Sequence, residues 1–192
     1  MFQEMINGSI AVLTKPSVAT FEEHEKDNLT WALIYAVIAG VINAVLTALK
    51  DIIFPPPDGA ANVGLVSLVL GGIIGTIIVL LISWGITYAL GRAFGGTGQF
   101  GELAYDLALF GAPLTVIGSI LNLIPVLGSL AALVLGIYNL YLTYLGIQSG
   151  MNLPKEKALY VIGIEFAIAV VLGICVFVAL GAAIMGSGAL DR

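Results

Sequence analysis

Residues 107–149 of the chain read LALFGAPLTVIGSILNLIPVLGSLAALVLGIYNLYLTYLGIQS and contain no charged side chain. This run is about twice the roughly 20 residues that cross the hydrocarbon core of a bilayer as a helix. Asn122, Pro125 and Gly128 lie near its middle, and residues of these types favour turns. The stretch therefore predicts two transmembrane helices joined by a tight hairpin.

The rest of the chain has the same apolar character. Hydrophobic residues make up 59% of its 192 residues and charged residues 10%, and the mean hydropathy is +1.07. Such a composition predicts an all-α polytopic membrane protein, with five transmembrane helices in a single bundle over residues 29–190. The predicted spans are 29–49, 63–90, 105–124, 126–149 and 158–185.

Residues 1–28 precede the first predicted span. Glu4 comes before any lysine and the apolar run that follows is short, so we expect no cleaved signal peptide. The segment is either a helix along the membrane surface or a disordered tail. Thr20 and Glu23 have the spacing of a capping box and predict a short helix over residues 21–28. The apolar residues at helical spacing are Phe2, Met5, Ile6, Ile10 and Leu13.

Basic residues predict the orientation, because cytoplasmic loops retain them. Two of the seven, Lys50 and Arg192, lie on the side of the predicted bundle opposite the amino terminus. This asymmetry predicts a multi-pass protein of the cell membrane, with the amino terminus in the cytoplasm and the carboxy terminus outside. The five basic residues on the amino-terminal side are Lys15, Lys26, Arg92, Lys155 and Lys157.

Several binding functions are not expected. The net charge of -5 does not provide the clustered basic surface that nucleic acids require. Cys175 and His24 are the single residues of their types, too few for a metal site. Gly96, Gly98 and Gly101 have the spacing of a dinucleotide-binding fingerprint, but a membrane helix precedes them where a strand is required. We expect neither a cofactor nor a metal.

The sequence also lacks a recognisable catalytic group of residues. An intramembrane hydrolase needs a nucleophile with a base, a carboxylate pair or a metal set. The single histidine precedes the first span. Glu102 and Asp106 lie one helical turn apart, and we interpret them as a solvated pair at a helix start. We therefore expect a protein that is not an enzyme.

Glu165 is the strongest candidate for a functional residue within the membrane. It lies seven residues beyond Ala158, roughly 10 Å of helix rise into the last span, and a charge at the bilayer centre costs about 2.5 to 3.5 kcal/mol. We expect it to be protonated, paired or facing the bundle, next to Tyr141, Tyr144 or Arg92. A structural hydrogen bond or ion pair, a proton- or ligand-linked role, and snorkelling to water all stay open.

Other polar and small residues in the spans suggest contacts between helices. Asn43 lies in the first span, and Asn122 and Asn139 lie around the hairpin. Such amides usually join helices by hydrogen bonds worth about 0.6 to 2 kcal/mol. Gly71 and Gly75 have GxxxG spacing, which predicts close packing either within the bundle or between subunits of a homo-oligomer.

Three segments together resemble one protein family. GGTGQFGELAYDLALFGAP at 95–113, LNLIPVLG at 121–128 and IYNLYLTYLGIQ at 137–148 are similar to the Yip domain family in its prokaryotic form. The resemblance implies a small five-helix membrane protein. Its eukaryotic members bind Rab-type GTPases and act in vesicle traffic. The positions that match are Gly95, Gly96, Gly98, Phe100, Tyr105, Pro113, Ile124, Pro125, Tyr138, Tyr141 and Gly146.

The chain departs from the eukaryotic pattern at its first span. Eukaryotic members carry a longer cytoplasmic region and a DLYGP-like motif there, whereas this chain has NLTWALIYA at 28–36. The resemblance therefore implies the fold of the family but does not extend to Rab binding.

The function predicted from these features is that of a non-enzymatic scaffold or adaptor, linked to membrane organisation or trafficking-like processes. Its required partner is membrane lipid, and a protein partner would bind the cytoplasmic face built from residues 1–28, 91–106 and 150–157. The alternative is a small transporter or channel. Its polar path would involve Glu165, Asn43 and Asn139.

Overall fold

The computed structural model of the protein describes residues 1–54 and 65–187, with the side chains of all of these except 65–70, 125–127 and 180–187. Over these residues the chain forms seven α-helices and no strand. The helices are α1 (Phe2–Thr14), α2 (Val18–His24), α3 (Leu29–Ile53), α4 (Leu65–Ala93), α5 (Phe100–Leu121), α6 (Pro125–Gly150) and α7 (Lys155–Ser187).

Five of these helices, α3 to α7, are long and apolar enough to cross a membrane. This confirms the predicted fold class. The helix α5 begins at Phe100 rather than at residue 105, because Glu102 Oε2 accepts a hydrogen bond of 2.7 Å from the Gln99 N–H and caps the first turn. Residue 63, the predicted start of the second span, and Arg192 lie outside the described residues.

The predicted hairpin between the third and fourth spans is present. Helix α5 continues past Pro113 to Leu121, and α6 begins at Pro125. A Cβ atom on Gly128 would lie 2.7 Å from Asn122 Oδ1, so this tight turn requires a glycine. Lys50 Nζ donates to Asn122 Oδ1 at 3.3 Å and ties the end of α3 to the same turn.

Residues 1–28, the amino-terminal hairpin, contain the two short helices α1 and α2. The predicted capping box at Thr20 is wrong, because Ser17 caps α2: its Oγ accepts a hydrogen bond of 3.1 Å from the Thr20 N–H. The helix therefore begins at Val18 and ends at His24.

Helix α1 packs against the bundle, so the amino terminus is not a disordered tail. The face that it buries consists of Met5, Gly8, Ser9 and Val12. Two of the apolar residues at helical spacing, Phe2 and Ile10, are exposed instead. A small glycine and a serine face the bundle because α5 approaches closely: a Cβ on Gly8 would lie 3.2 Å from Leu109 Cδ2.

Burial is concentrated at one end of the bundle, which we call the packed end. Every residue from 103 to 110 in α5 is buried, as is every residue from 145 to 151 at the end of α6. In contrast, α7 has no buried residue from 163 to 179, and α4 has none from 71 to 83. Apolar side chains on those parts of α4 and α7 suit contact with lipid.

The glycine loop, residues 94–99, belongs to the packed end. The Thr97 N–H donates to the Met151 carbonyl at 3.0 Å. A Cβ on Gly96 would lie 2.9 Å from the same carbonyl oxygen, and one on Gly98 would overlap the carbonyl of Gly150. These glycines allow the loop to pack on the end of α6, which is why they are required here.

The GxxxG glycines do not pack in this way. Among the described residues, a Cβ on Gly71 or Gly75 would have no neighbouring atom within 4 Å. The predicted close packing within the bundle at this motif is therefore wrong. The helices approach closely at other glycines, among them Gly150, where a Cβ would lie 2.7 Å from Leu103 Cα.

Candidate functional site

A cavity of about 470 Å³ lies among α3, α4, α5, α6 and α7. Glu165, Asn43 and Asn139 all line it. The structure thus brings together the three residues that the sequence suggested for a polar path, although they lie on three different helices. The volume falls within the range of small-molecule sites, about 300 to 1,000 Å³.

The partner of Glu165 within this cavity is Thr87. The Thr87 hydroxyl and Glu165 Oε1 form a short hydrogen bond between α4 and α7. The structure thus gives Glu165 a different hydrogen-bond partner from the predicted Tyr141, Tyr144 and Arg92. Threonine is common in membrane helices, so nothing in the sequence marked Thr87 as the partner.

The Thr87 hydroxyl has two acceptors close to it. Thr87 Oγ1 also lies 3.1 Å from the Ser83 carbonyl oxygen, and a carbonyl only accepts. A hydroxyl has a single hydrogen and cannot donate to Ser83 and to Glu165 at once. The donor to Glu165 Oε1 is Thr87. The approach to the Ser83 carbonyl is the i−4 contact that threonine commonly makes in helices.

The two asparagines differ in their contacts. Asn43 Oδ1 lies 2.6 Å from Ser119 Oγ and joins α3 to α5, as the sequence predicts for such amides. The Asn139 side chain makes no hydrogen bond with any described residue, although its backbone carbonyl accepts one from Thr143 at 2.8 Å. An amide inside a membrane protein favours a hydrogen-bonding partner, so the cavity suits a polar or amphiphilic occupant.

The other candidate residues lie outside the cavity. Arg92 Nη1 donates to the Gly96 carbonyl at 3.2 Å, and its guanidinium carbon lies 5.9 Å from the centre of the Tyr88 ring. Tyr141 is exposed, and its ring stacks on Tyr138 at 6.5 Å. Arg92 thus stabilises the glycine loop.

A second polar group of residues lies at the packed end, and the sequence interpretation missed it. Glu102 caps α5 as expected, but Asp106 is completely buried rather than solvated. Neither carboxyl oxygen of Asp106 has a hydrogen-bond partner among the described residues. Nearby, Ser149 Oγ donates to Glu25 Oε2 at 2.8 Å. The apolar residues on both sides of Asp106 were the available sequence signal of a buried position.

Glu25 links the amino-terminal hairpin to α6. Its partial burial raises the pKa of the Glu25 carboxyl above its ordinary value, and the negative charges of Glu102 and Glu22 act in the same direction. The hydrogen bond from Ser149 opposes this shift, because it favours the charged form. The described residues contain no group of three histidine, cysteine, aspartate or glutamate side chains suited to a metal ion.

The architecture and its glycine loop agree with a known family. The model of the Yip1 domain matches residues 10–186, nearly the whole chain. The chain belongs to the Yip1 domain family. No curated protein and no solved structure matches it.

The residues of the Yip1 motif have structural roles at the described positions. Gly95 has a φ of +90°, which favours glycine. The Phe100 ring packs edge-on against Tyr88 at 5.5 Å between centres, and Tyr105 is buried in the core. Pro125 occupies the first turn of α6, where its missing N–H has no cost. These positions therefore lie at the packed end and in the hairpin.

Proposed function

We propose that the protein is a non-enzymatic membrane scaffold of the Yip type, linked to membrane organisation, whose partner surface is the packed end. Membership of the Yip1 domain family supports this proposal. The observation that carries it is the docking of the amino-terminal hairpin. Met5, Val12 and Phe21 are completely buried, which gives this end of a membrane protein a fixed, structured surface.

The charge of the packed end favours a protein partner in water. Its exposed residues include Glu22, Glu23, Lys155 and Glu156, and Lys26 Nζ lies 3.2 Å from Glu4 Oε2. Such mixed charge is typical of a solvated surface rather than of one in contact with lipid tails. The excess of lysine and arginine at this end supports a cytoplasmic location.

Site-specific photocrosslinking in native membranes tests the scaffold. We expect benzoylphenylalanine at position 23 or 155 to give the same discrete protein adduct, since both positions lie on the proposed surface. The matched control is position 177, where Phe177 is 79% exposed on the part of α7 without buried residues. Protein adducts at position 177 alone, or equal adducts at all three positions, would contradict the proposed surface.

A small transporter is the second candidate function, and one observation favours it. Glu165, Asn43 and Asn139 share a cavity, as expected of residues along a polar path. Glu165→Gln should then abolish flux of the transported species in proteoliposomes. If the protein is a scaffold, the same substitution should leave its crosslinked protein adduct unchanged. Flux and crosslinking therefore distinguish the two functions.

A further inference from the structure

We propose that the intramembrane cavity binds a lipophilic organic cation in exchange for a proton of Glu165. This inference concerns binding at equilibrium. It stands whether the protein acts as a scaffold or as a transporter.

The charge of the cavity selects the class of ligand. Among the described residues that line it on α3, α4, α5, α6 and α7, Glu165 is the single ionisable side chain. An anionic group such as a phosphate would meet this acid with no base to offset the repulsion. A cation gains from a carboxylate in a medium of low dielectric constant, where charge interactions are strong.

The shape and lining of the cavity fit a cation with a bulky apolar body. Trp84, Phe110 and Phe166 line the cavity together with Glu165. Aromatic faces attract cations and provide apolar contact area. A volume of about 470 Å³ admits a compact organic cation, and the described residues offer no cluster suited to a metal ion.

The exchange moves one proton from Glu165 to water. Without a ligand, no base among the described lining residues pairs with the Glu165 carboxyl group, so a medium of low dielectric constant favours its protonated form. When the cation enters, the O–H bond of Glu165 breaks and the proton passes to water. The carboxylate then pairs with the cation and keeps the hydrogen bond that the Thr87 hydroxyl donates to it. One positive charge enters and one leaves, so the charge of the cavity is conserved.

Calorimetry with tetraphenylphosphonium tests this exchange on the full chain in nanodiscs, after subtraction of the heat from protein-free nanodiscs. Titrations in two buffers of different ionisation enthalpy count the protons released. We expect about one proton per bound cation, and an affinity that falls up to about tenfold for each pH unit on the acidic side. Glu165→Gln should remove the binding, whereas Glu156→Gln, which alters an exposed acid on the same helix, should leave it unchanged.

A second variant keeps the test informative if Glu165→Gln does not fold. Phe166 is exposed at the edge of the cavity, so Phe166→Leu should fold normally and weaken binding several-fold through loss of an aromatic face. Binding without proton release, or equal binding by Glu165→Gln, would overturn the proposal. Binding of dioctanoylglycerol without binding of the cation would also overturn it, because it would assign the cavity to neutral amphiphiles.

Discussion

Tyr138 of α6 donates a hydrogen bond of 2.6 Å from its hydroxyl to the backbone carbonyl of Leu13, the second-last residue of α1. Twelve residues, or about 18 Å of helix rise, separate Tyr138 from Gly150 at the end of α6. The amino-terminal hairpin therefore lies along the side of the bundle and not merely across its end. Ser9 makes a similar contact with the Tyr35 hydroxyl at 2.9 Å.

Tyr138→Phe should loosen the hairpin without altering the spans, because it removes one hydrogen bond worth about 1 kcal/mol. Amide hydrogen exchange over residues 2–14 measures this, and we expect faster exchange in the variant. Tyr160→Phe is the control, since Tyr160 is exposed and its hydroxyl makes no hydrogen bond with a described residue. Equal exchange in wild type and in Tyr138→Phe would contradict the docking of α1 on α6.

Gly98→Ala should destabilise the packed end by about 1 to 3 kcal/mol, because the added methyl group would overlap the backbone carbonyl of Gly150. Neither partner is a flexible side chain that could move aside. Gly111→Ala is the matched control: a Cβ there has no neighbour within 4 Å. Thermal unfolding in detergent should separate the two variants. Equal melting temperatures would contradict the packing of the glycine loop on α6.

Glu25→Gln should stabilise the packed end at neutral pH. The pKa of Glu25 is raised in the folded protein, mainly by burial, so the folded state binds the proton more tightly than the unfolded state. This preferential protonation stabilises the folded protein fully at pH values below about 4.3, the pKa of glutamate in the unfolded chain. The stabilisation is lost as the pH rises through the pKa of Glu25 in the folded protein. Glutamine stays neutral and can still accept the Ser149 hydrogen bond.

Melting temperatures at pH 4 and pH 7 test the sign of this effect. At pH 4 we expect Glu25→Gln to have the same melting temperature as wild type. At pH 7 we expect its melting temperature to be higher than that of wild type. Glu23→Gln, which alters an exposed acid in α2, should track wild type at both values. The account fails if Glu25→Gln differs from wild type by the same amount at both pH values.

The sequence was sufficient for those features that depend on local composition. Charge-free stretches predicted five membrane helices, and Asn122, Pro125 and Gly128 predicted the hairpin, because a turn is determined by the residues within it. Asp106 was misplaced, since its burial depends on α6 and on the amino-terminal hairpin, which are distant in the sequence. The partner of Glu165 was also missed. Thr87 lies 78 residues away, and one threonine among many carries no signal of its own.

The α1 interface was missed for a related reason. The sequence indicated a membrane-facing side with Phe2 and Ile10 and gave no prediction for the side with Gly8 and Ser9, which packs on the bundle. Close approach of another helix requires small residues, and a polar hydroxyl is acceptable where Tyr35 provides its partner. The spacing of apolar residues indicates neither a close helix approach nor a hydrogen-bonding partner for a hydroxyl.

The central claim, that the packed end is the cytoplasmic partner surface, is tested most directly by cysteine accessibility in intact cells. In a Cys175→Ala background, single cysteines replace Asp51, which is exposed at the end of α3, or Glu156, which is exposed at the packed end. A membrane-impermeant maleimide added from outside should label Asp51→Cys and reach Glu156→Cys only after the membrane is permeabilised. Labelling of Glu156→Cys in intact cells, with protection of Asp51→Cys, would place the packed end outside and contradict the account.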